Sequence, residues 1–197
     1  IENVSVSGSI QGNNGVGGIV GRISYDPGYT EYNIIRNCLV DADVAATGNY
    51  AGGMVGYTHK NNETTYGKVE VKNVYVSGKV SAPSGVLTTG NAAGLLACTE
   101  HRYVKMLNSA VLSPEISGST PNYFYSRDIP ASDLEMLDKL YVVEGVALNY
   151  QDDGDRGAGA GIDMSGKILN RAVFLTKDFY VNVLEWDFEN TWYMDEG

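Results

Sequence analysis

Three stretches of the chain alternate apolar and polar positions in the same order. Val4, Val6 and Ile10 alternate with Ser5, Ser7 and Ser9. Cys38, Val40, Ala42 and Val44 alternate with Leu39, Asp41 and Asp43. Val74, Val76 and Val80 alternate with Tyr75, Ser77 and Lys79. A period of two is that of a β-strand with one face turned to a core. Each stretch follows an Asn, at Asn3, Asn37 and Asn73, and a looser fourth begins at Asn108, so the steps are 34, 36 and 35 residues. Ile1, Ile35, Val71 and Met106 stand two residues ahead of these Asn in a second short strand. The next inward residue comes one after the Asn. Inward positions three apart break the period of two, so the chain turns a corner there. Asn tolerates left-handed backbone, and its amide both donates and accepts. The pattern therefore predicts four stacked Asn at one corner, each amide bonded to the next. A polar binding stripe is the functional alternative.

A third strand per period comes from Gly17-Gly-Ile-Val-Gly21, Gly52-Gly-Met-Val-Gly56 and Ala93-Gly-Leu-Leu-Ala97. A fixed period near 35 residues marks a repeat architecture, in which each unit buries its apolar face on its neighbour. The fold class expected is all-β: a parallel β-solenoid of about three strands per coil over residues 1–120. Residues 121–197 are expected to form a small C-terminal cap with short helices packed on it. Ser132-Asp-Leu-Glu135 reads as a capping box before Leu134, Met136, Leu137 and Leu140, which predicts a helix from about Asp133 to Leu140. Lys177–Leu184 suggests a second helix. Phe179, Leu184, Trp186, Phe188 and Trp192 form an aromatic group, read as part of the cap or as a sugar-stacking platform.

Charge narrows the partners. The chain carries 24 Asp+Glu against 14 Lys+Arg, a net charge of −10. That balance argues against nucleic acid and against anionic membrane surfaces. No apolar stretch is long enough for a membrane span. A chain that opens at Ile1 inside a repeat reads as a fragment or a mature form, so the missing signal peptide carries no information. Two cysteines make no disulfide framework. Cys38 takes the core place of Val4 and Val74, while Cys98 falls at a different position on the coil.

Candidate chemistry is sparse. The Gly cluster from Gly12 to Gly18 lacks the following helix and the Lys-Ser/Thr ending of a phosphate loop. His59 and His101 lack the partners of a zinc site, and no metal or cofactor is expected. Asp41 and Asp43 share an outward strand face near Arg36, an arrangement suited to acid/base work or to a solvated surface. Asp152–Asp155 and Ala158–Asp163 resemble calcium loops but occur once, where an oxygen shell needs successive copies. The variable segments Ser24–Tyr32, Lys60–Gly67 and Ala82–Asn91 read as projecting loops. The first two carry Tyr25, Tyr29, Tyr32 and Tyr66, the candidate binding residues, since Tyr offers large contact area at low entropic cost. These loops should leave one corner of successive coils and form one patch, unless the rings pack down on the solenoid wall.

Gly18-Ile-Val-Gly21, Gly53-Met-Val-Gly56 and the degraded Gly94-Leu-Leu-Ala97, each paired with an Asn strand, resemble the GLUG repeat. The resemblance covers Ile1 to about Ile116. It implies a β-solenoid of secreted or outer-surface proteins, notably of Bacteroides-type Gram-negative bacteria, often of adhesin type. It carries no catalytic residues. The expected function is a non-enzymatic adhesion or interaction module, monomeric, presenting loops to a host or microbial surface protein or glycan. The alternatives are a carbohydrate-binding or polysaccharide-cleaving β-helix module and a passive spacer.

Overall fold

A computed structural model describes residues 1–24, 31–59, 68–83, 91–97, 103–125, 134–150 and 168–194 of the 197-residue chain. Its strands in chain order are β1 (Ser5–Gly12), β2 (Val16–Gly17), β3 (Val20–Ser24), β4 (Tyr32–Ala46), β5 (Tyr50–Gly52), β6 (Val55–His59) and β7 (Lys68–Val76). There follow β8 (Val80–Ser81), β9 (Asn91–Ala93), β10 (Tyr103–Val111), β11 (Glu115–Gly118), β12 (Leu134–Val143), β13 (Ala147–Tyr150) and β14 (Ile168–Leu169). All pairings are parallel, and each strand pairs with its counterpart one coil away. The molecule is a parallel β-solenoid.

The register follows from the alternation. Val6 pairs with Val40 and Val40 with Val76, so the three stack in one column. Cys38 lies fully buried beside Val74, and Val40, Val76 and Val111 are likewise buried. A one-residue slip would turn each of these columns out to water, which is why the pattern specifies the register. Gly78 lies where the backbones of adjacent layers approach closely: a Cβ there would sit 1.8 Å from the Ala42 carbonyl oxygen. The first layer departs from the pattern. Ile1 is 60% exposed, whereas Ile35 is 2% and Val71 and Met106 are 0%. The cause is position, because β1 pairs on one side only, with β4.

The Asn corner is present. Asn3, Asn37, Asn73 and Asn108 have φ of 59°, 54°, 53° and 49°. Asn37 Nδ2 donates to Asn3 Oδ1 at 3.3 Å and Asn73 Nδ2 to Asn37 Oδ1 at 3.0 Å. The expected four-rung ladder has three rungs. Oδ1 of Asn73 is buried with no partner among the described residues.

The stack continues past residue 120. β12 pairs with β10, β13 with β11, and β14 with β12. The helix expected over Asp133–Leu140 is not formed; Leu134–Val143 is strand. The spacing of Leu134, Leu137 and Leu140 imitates a helix for two local reasons. A bulge interrupts the register after Val104, inserting a residue between Leu134 and Met136. Lys139 then takes the Asn corner, with φ of 49°, and pushes Leu137 and Leu140 three apart, as Ile35 and Cys38 are. Leu140 accordingly is fully buried. The Gly-motif strand also has a fourth, unforeseen copy at Asn122–Tyr125, which bridges to Ala93 and Leu96 and buries Phe124.

The described part of the C-terminal segment runs along the side of the stack. A π-helical turn at Phe179–Val183 falls within the second expected helix, Lys177–Leu184, and an unforeseen 3-10 turn at Val173–Leu175 precedes it. Trp186 Nε1 donates to the Asn108 carbonyl at 2.8 Å. Tyr180 packs on Tyr75, Phe179 on Tyr141, and Trp186 stacks on Trp192 at 4.3 Å. Lys139 Nζ pairs with Glu185. Phe179 and Trp186 are 3% and 5% exposed, so these two rings are consumed by packing, while Trp192 keeps part of its surface.

Between the two Trp, Asp187 accepts from the backbone N–H of Glu189 at 2.9 Å and of Asn190 at 3.1 Å. The Asn190 side-chain amide, followed by these two backbone bonds, holds its carboxyl below the usual Asp range. A depressed folded pKa adds stability above the unfolded value, lost as pH falls through the folded one. Both Trp of the chain lie in this segment. On acidification, Trp fluorescence should therefore red-shift as Asp187 protonates, below about pH 4. In Asp187→Asn the acid-dependent part of that shift should be reduced.

Candidate functional site

Segments 24–32 and 60–67 were expected to lie side by side, and the strands that follow them start side by side; Ala82–Asn91 leads instead into β9, in another sheet. β4, β7 and β10 begin at Tyr32, Lys68 and Tyr103, and pairing places these three in one column. Neighbouring strands lie about 4.8 Å apart, so the two Tyr are separated by about 9.6 Å, with Lys68 between them. Its Nζ is 5.4 Å from the Tyr32 ring centroid and 5.6 Å from that of Tyr103. Lys105, two residues along β10, brings its Nζ within 4.1 Å of the Tyr32 ring. Each cation–ring contact at an accessible site contributes roughly 0.5–1 kcal/mol, which orders the side chains without burying them. Tyr103 stays 43% exposed and Tyr32 is half-buried.

Of the four predicted binding residues, only Tyr32 can be placed. Tyr25, Tyr29 and Tyr66 lie outside the described residues, as do His101, Cys98, Asp152–Asp155 and Ala158–Asp163. Lys68, Tyr103 and Lys105 were not foreseen as site residues. The signal was available: Tyr32, Lys68 and Tyr103 each stand five residues before a corner Asn. Their identities differ, so the column shows itself only when counted in register.

The paired carboxylates each bond to a different residue of the next layer. Asp41 accepts from Ser77 Oγ at 2.6 Å, and Asp43 accepts from the backbone N–H of Lys79 at 2.8 Å. Arg36, their expected basic neighbour, lies across the corner and pairs with Glu2 at 2.5 Å. Lys79 Nζ is 3.4 Å from Glu115. The Glu115 carboxyl is held below its usual range by the Asn149 amide and then by Lys79. Burial pushes the Cys38 thiol up, which suits a core residue. Among the described residues, no group of three or more His, Cys, Asp or Glu side chains is placed to hold a metal ion. Among them too, no helix is long and apolar enough to cross a membrane.

Compared with known proteins, the chain matches no family model, no curated protein and no solved structure.

Proposed function

We propose that this chain is a non-enzymatic recognition module of a secreted or cell-surface protein of GLUG-repeat type. It presents the loops above Tyr32, Lys68 and Tyr103 to a protein or glycan on a host or microbial surface. The observation that carries the reading is the column of loop feet. Segments 24–32 and 60–67 lead into β4 and β7 in adjacent layers, β10 begins one layer further on at Tyr103, and the face they share interleaves aromatic rings with ammonium groups. Binding surfaces are enriched in such aromatic anchors, while Lys at their rim steers and orients a partner. The solenoid supplies rigidity, and the loops supply variation that costs the core nothing.

The purified chain should bind a subset of an array of defined glycans and host extracellular proteins. Combined Tyr32→Ala and Tyr103→Ala substitution should weaken that binding at least tenfold, the scale of one lost anchor. Turnover of any arrayed polysaccharide, abolished by Asp41→Asn, would overturn the non-enzymatic reading. Full retention of binding after both Tyr substitutions and replacement of 60–67 by Gly/Ser would overturn the loop face.

A further inference from the structure

A second surface lies beyond the Asn corner, where the C-terminal segment runs beside the outward residues of the main sheet. It forms one wall of two hollows of about 490 and 440 Å³, and Leu39 lines both. The first is floored by Leu39, Tyr75 and Leu112 and carries Asp41, Ser77 and Arg171. The second is lined by Asn3, Asn37, Trp192 and Tyr193. Together they cross four layers, from Asn3 below β1 to Leu112 after β10, which is about 14 Å at the spacing of paired strands.

Asp41, Arg171 and Asn3 keep hydrogen-bonding capacity here. Asp41 accepts one bond, from Ser77, and a carboxylate has room for about three more. Tyr75, whose pKa is raised by burial and then by the Asp41 charge, shares a side-chain hydrogen bond with Ser77 and offers the groove its ring. Arg171 is exposed on the turn after β14. At the other end Asn3 accepts from Asn37, and its own Nδ2 has no partner among the described residues. Tyr193 is 88% exposed beside Trp192, the outer ring of the stacked Trp pair.

We infer that this groove binds a neutral oligosaccharide chain, one sugar over Leu39 and Tyr75 and another against Trp192 and Tyr193. The inference rests on the recognition-module reading but not on the loop face. The chemistry selects the class. A pyranose ring has an apolar C–H face and an edge of hydroxyls. The first suits Leu39, Leu112 and aromatic rings; the second suits the Asp41 carboxylate as acceptor, with the Arg171 guanidinium and the Asn3 amide as donors. A peptide strand would need unpaired backbone at a sheet edge, whereas backbone on this face is already paired between layers. A polyanion would meet Asp41 and a net charge of −10.

The test uses the full chain titrated with neutral tetrasaccharides of glucose, mannose, galactose and N-acetylglucosamine, followed by saturation-transfer NMR and Trp fluorescence. At least one tetrasaccharide should bind more than tenfold tighter than its monosaccharide. Asp41→Asn, Arg171→Ala and Tyr193→Ala, all at exposed positions, should each weaken it at least fivefold, while Met136→Ala, exposed and away from the groove, leaves it unchanged. Failure of all four tetrasaccharides to bind would overturn the groove and leave the loop face standing. So would binding that only Tyr32→Ala removes, or a preference for acidic oligosaccharides.

Discussion

Gly53→Ala should destabilise the protein by about 3 kcal/mol or more, enough to deplete the folded state, because one methyl has nowhere to go. A Cβ at Gly53 would lie 2.0 Å from the Gly94 carbonyl oxygen and 2.6 Å from a Val76 methyl. The first contact is backbone. It cannot withdraw, since Gly53 N–H bonds to the Ala93 carbonyl at 3.0 Å and the Gly53 carbonyl accepts from Gly18 at 3.2 Å. The same crowding recurs in each layer. Gly18 faces the Gly53 carbonyl and Val40, and Gly94 faces the Tyr123 carbonyl and Val111. The Gly of each motif therefore lets the second sheet close onto the Val column of the first. Urea denaturation measures the loss. Gly12→Ala provides the contrast, because its Cβ would meet only a Val16 side-chain methyl, at 2.9 Å, which can rotate away. That variant should fall within about 1 kcal/mol of the parent. Equal losses in the two would show that the layers are less tightly coupled than their hydrogen bonds imply.

Asn73→Val should cost about 2–3 kcal/mol, from two separable causes. The residue sits at φ of 53°, where a β-branched side chain adds about 1–2 kcal/mol of strain. Its amide also donates to Asn37 Oδ1 at 3.0 Å, and a lost hydrogen bond in a part-buried site adds about 1 kcal/mol. Asn73→Gly keeps the backbone conformation and loses only the amide. It should therefore recover roughly half the loss. Thermal and urea unfolding of the two variants side by side decide the matter. If Gly is no better than Val, the strain is absent and the amide carries the corner. If both equal the parent, the corner does not need Asn at all. Lys139 already shows that the left-handed backbone survives without an amide, one layer beyond Asn108.

The class of fold, the register and the corner were readable in the residues because each is a local property repeated. Alternation decides which face is buried, Asn accommodates a left-handed bend, and copies one coil apart must stack. Those requirements held from β1 to β10. They also explain the misread helix at Asp133–Leu140. Inward residues three apart belong equally to a helix and to a strand that turns a corner, and only the stacked neighbour β10 decides between them. The degenerate copies escaped for the same reason. Asn122–Tyr125 lacks the glycines, and Lys139 lacks the amide, so nothing local marks them.

The candidate surfaces depended on the tertiary structure altogether. Tyr32, Lys68 and Tyr103 are 36 and 35 residues apart in sequence, and nothing in their types joins them. They share a face because the hydrogen-bonded layers bring equivalent positions within one strand spacing. Arg171 and Tyr193 lie far along the chain from Asp41 and Asn3. They share a groove because Trp186 anchors the C-terminal segment to the Asn108 carbonyl and so holds it against the side of the solenoid. Periodic packing is written residue by residue, so the sequence alone determined it. A surface assembled from different coils is set by how those coils stack, and that only the folded chain decides.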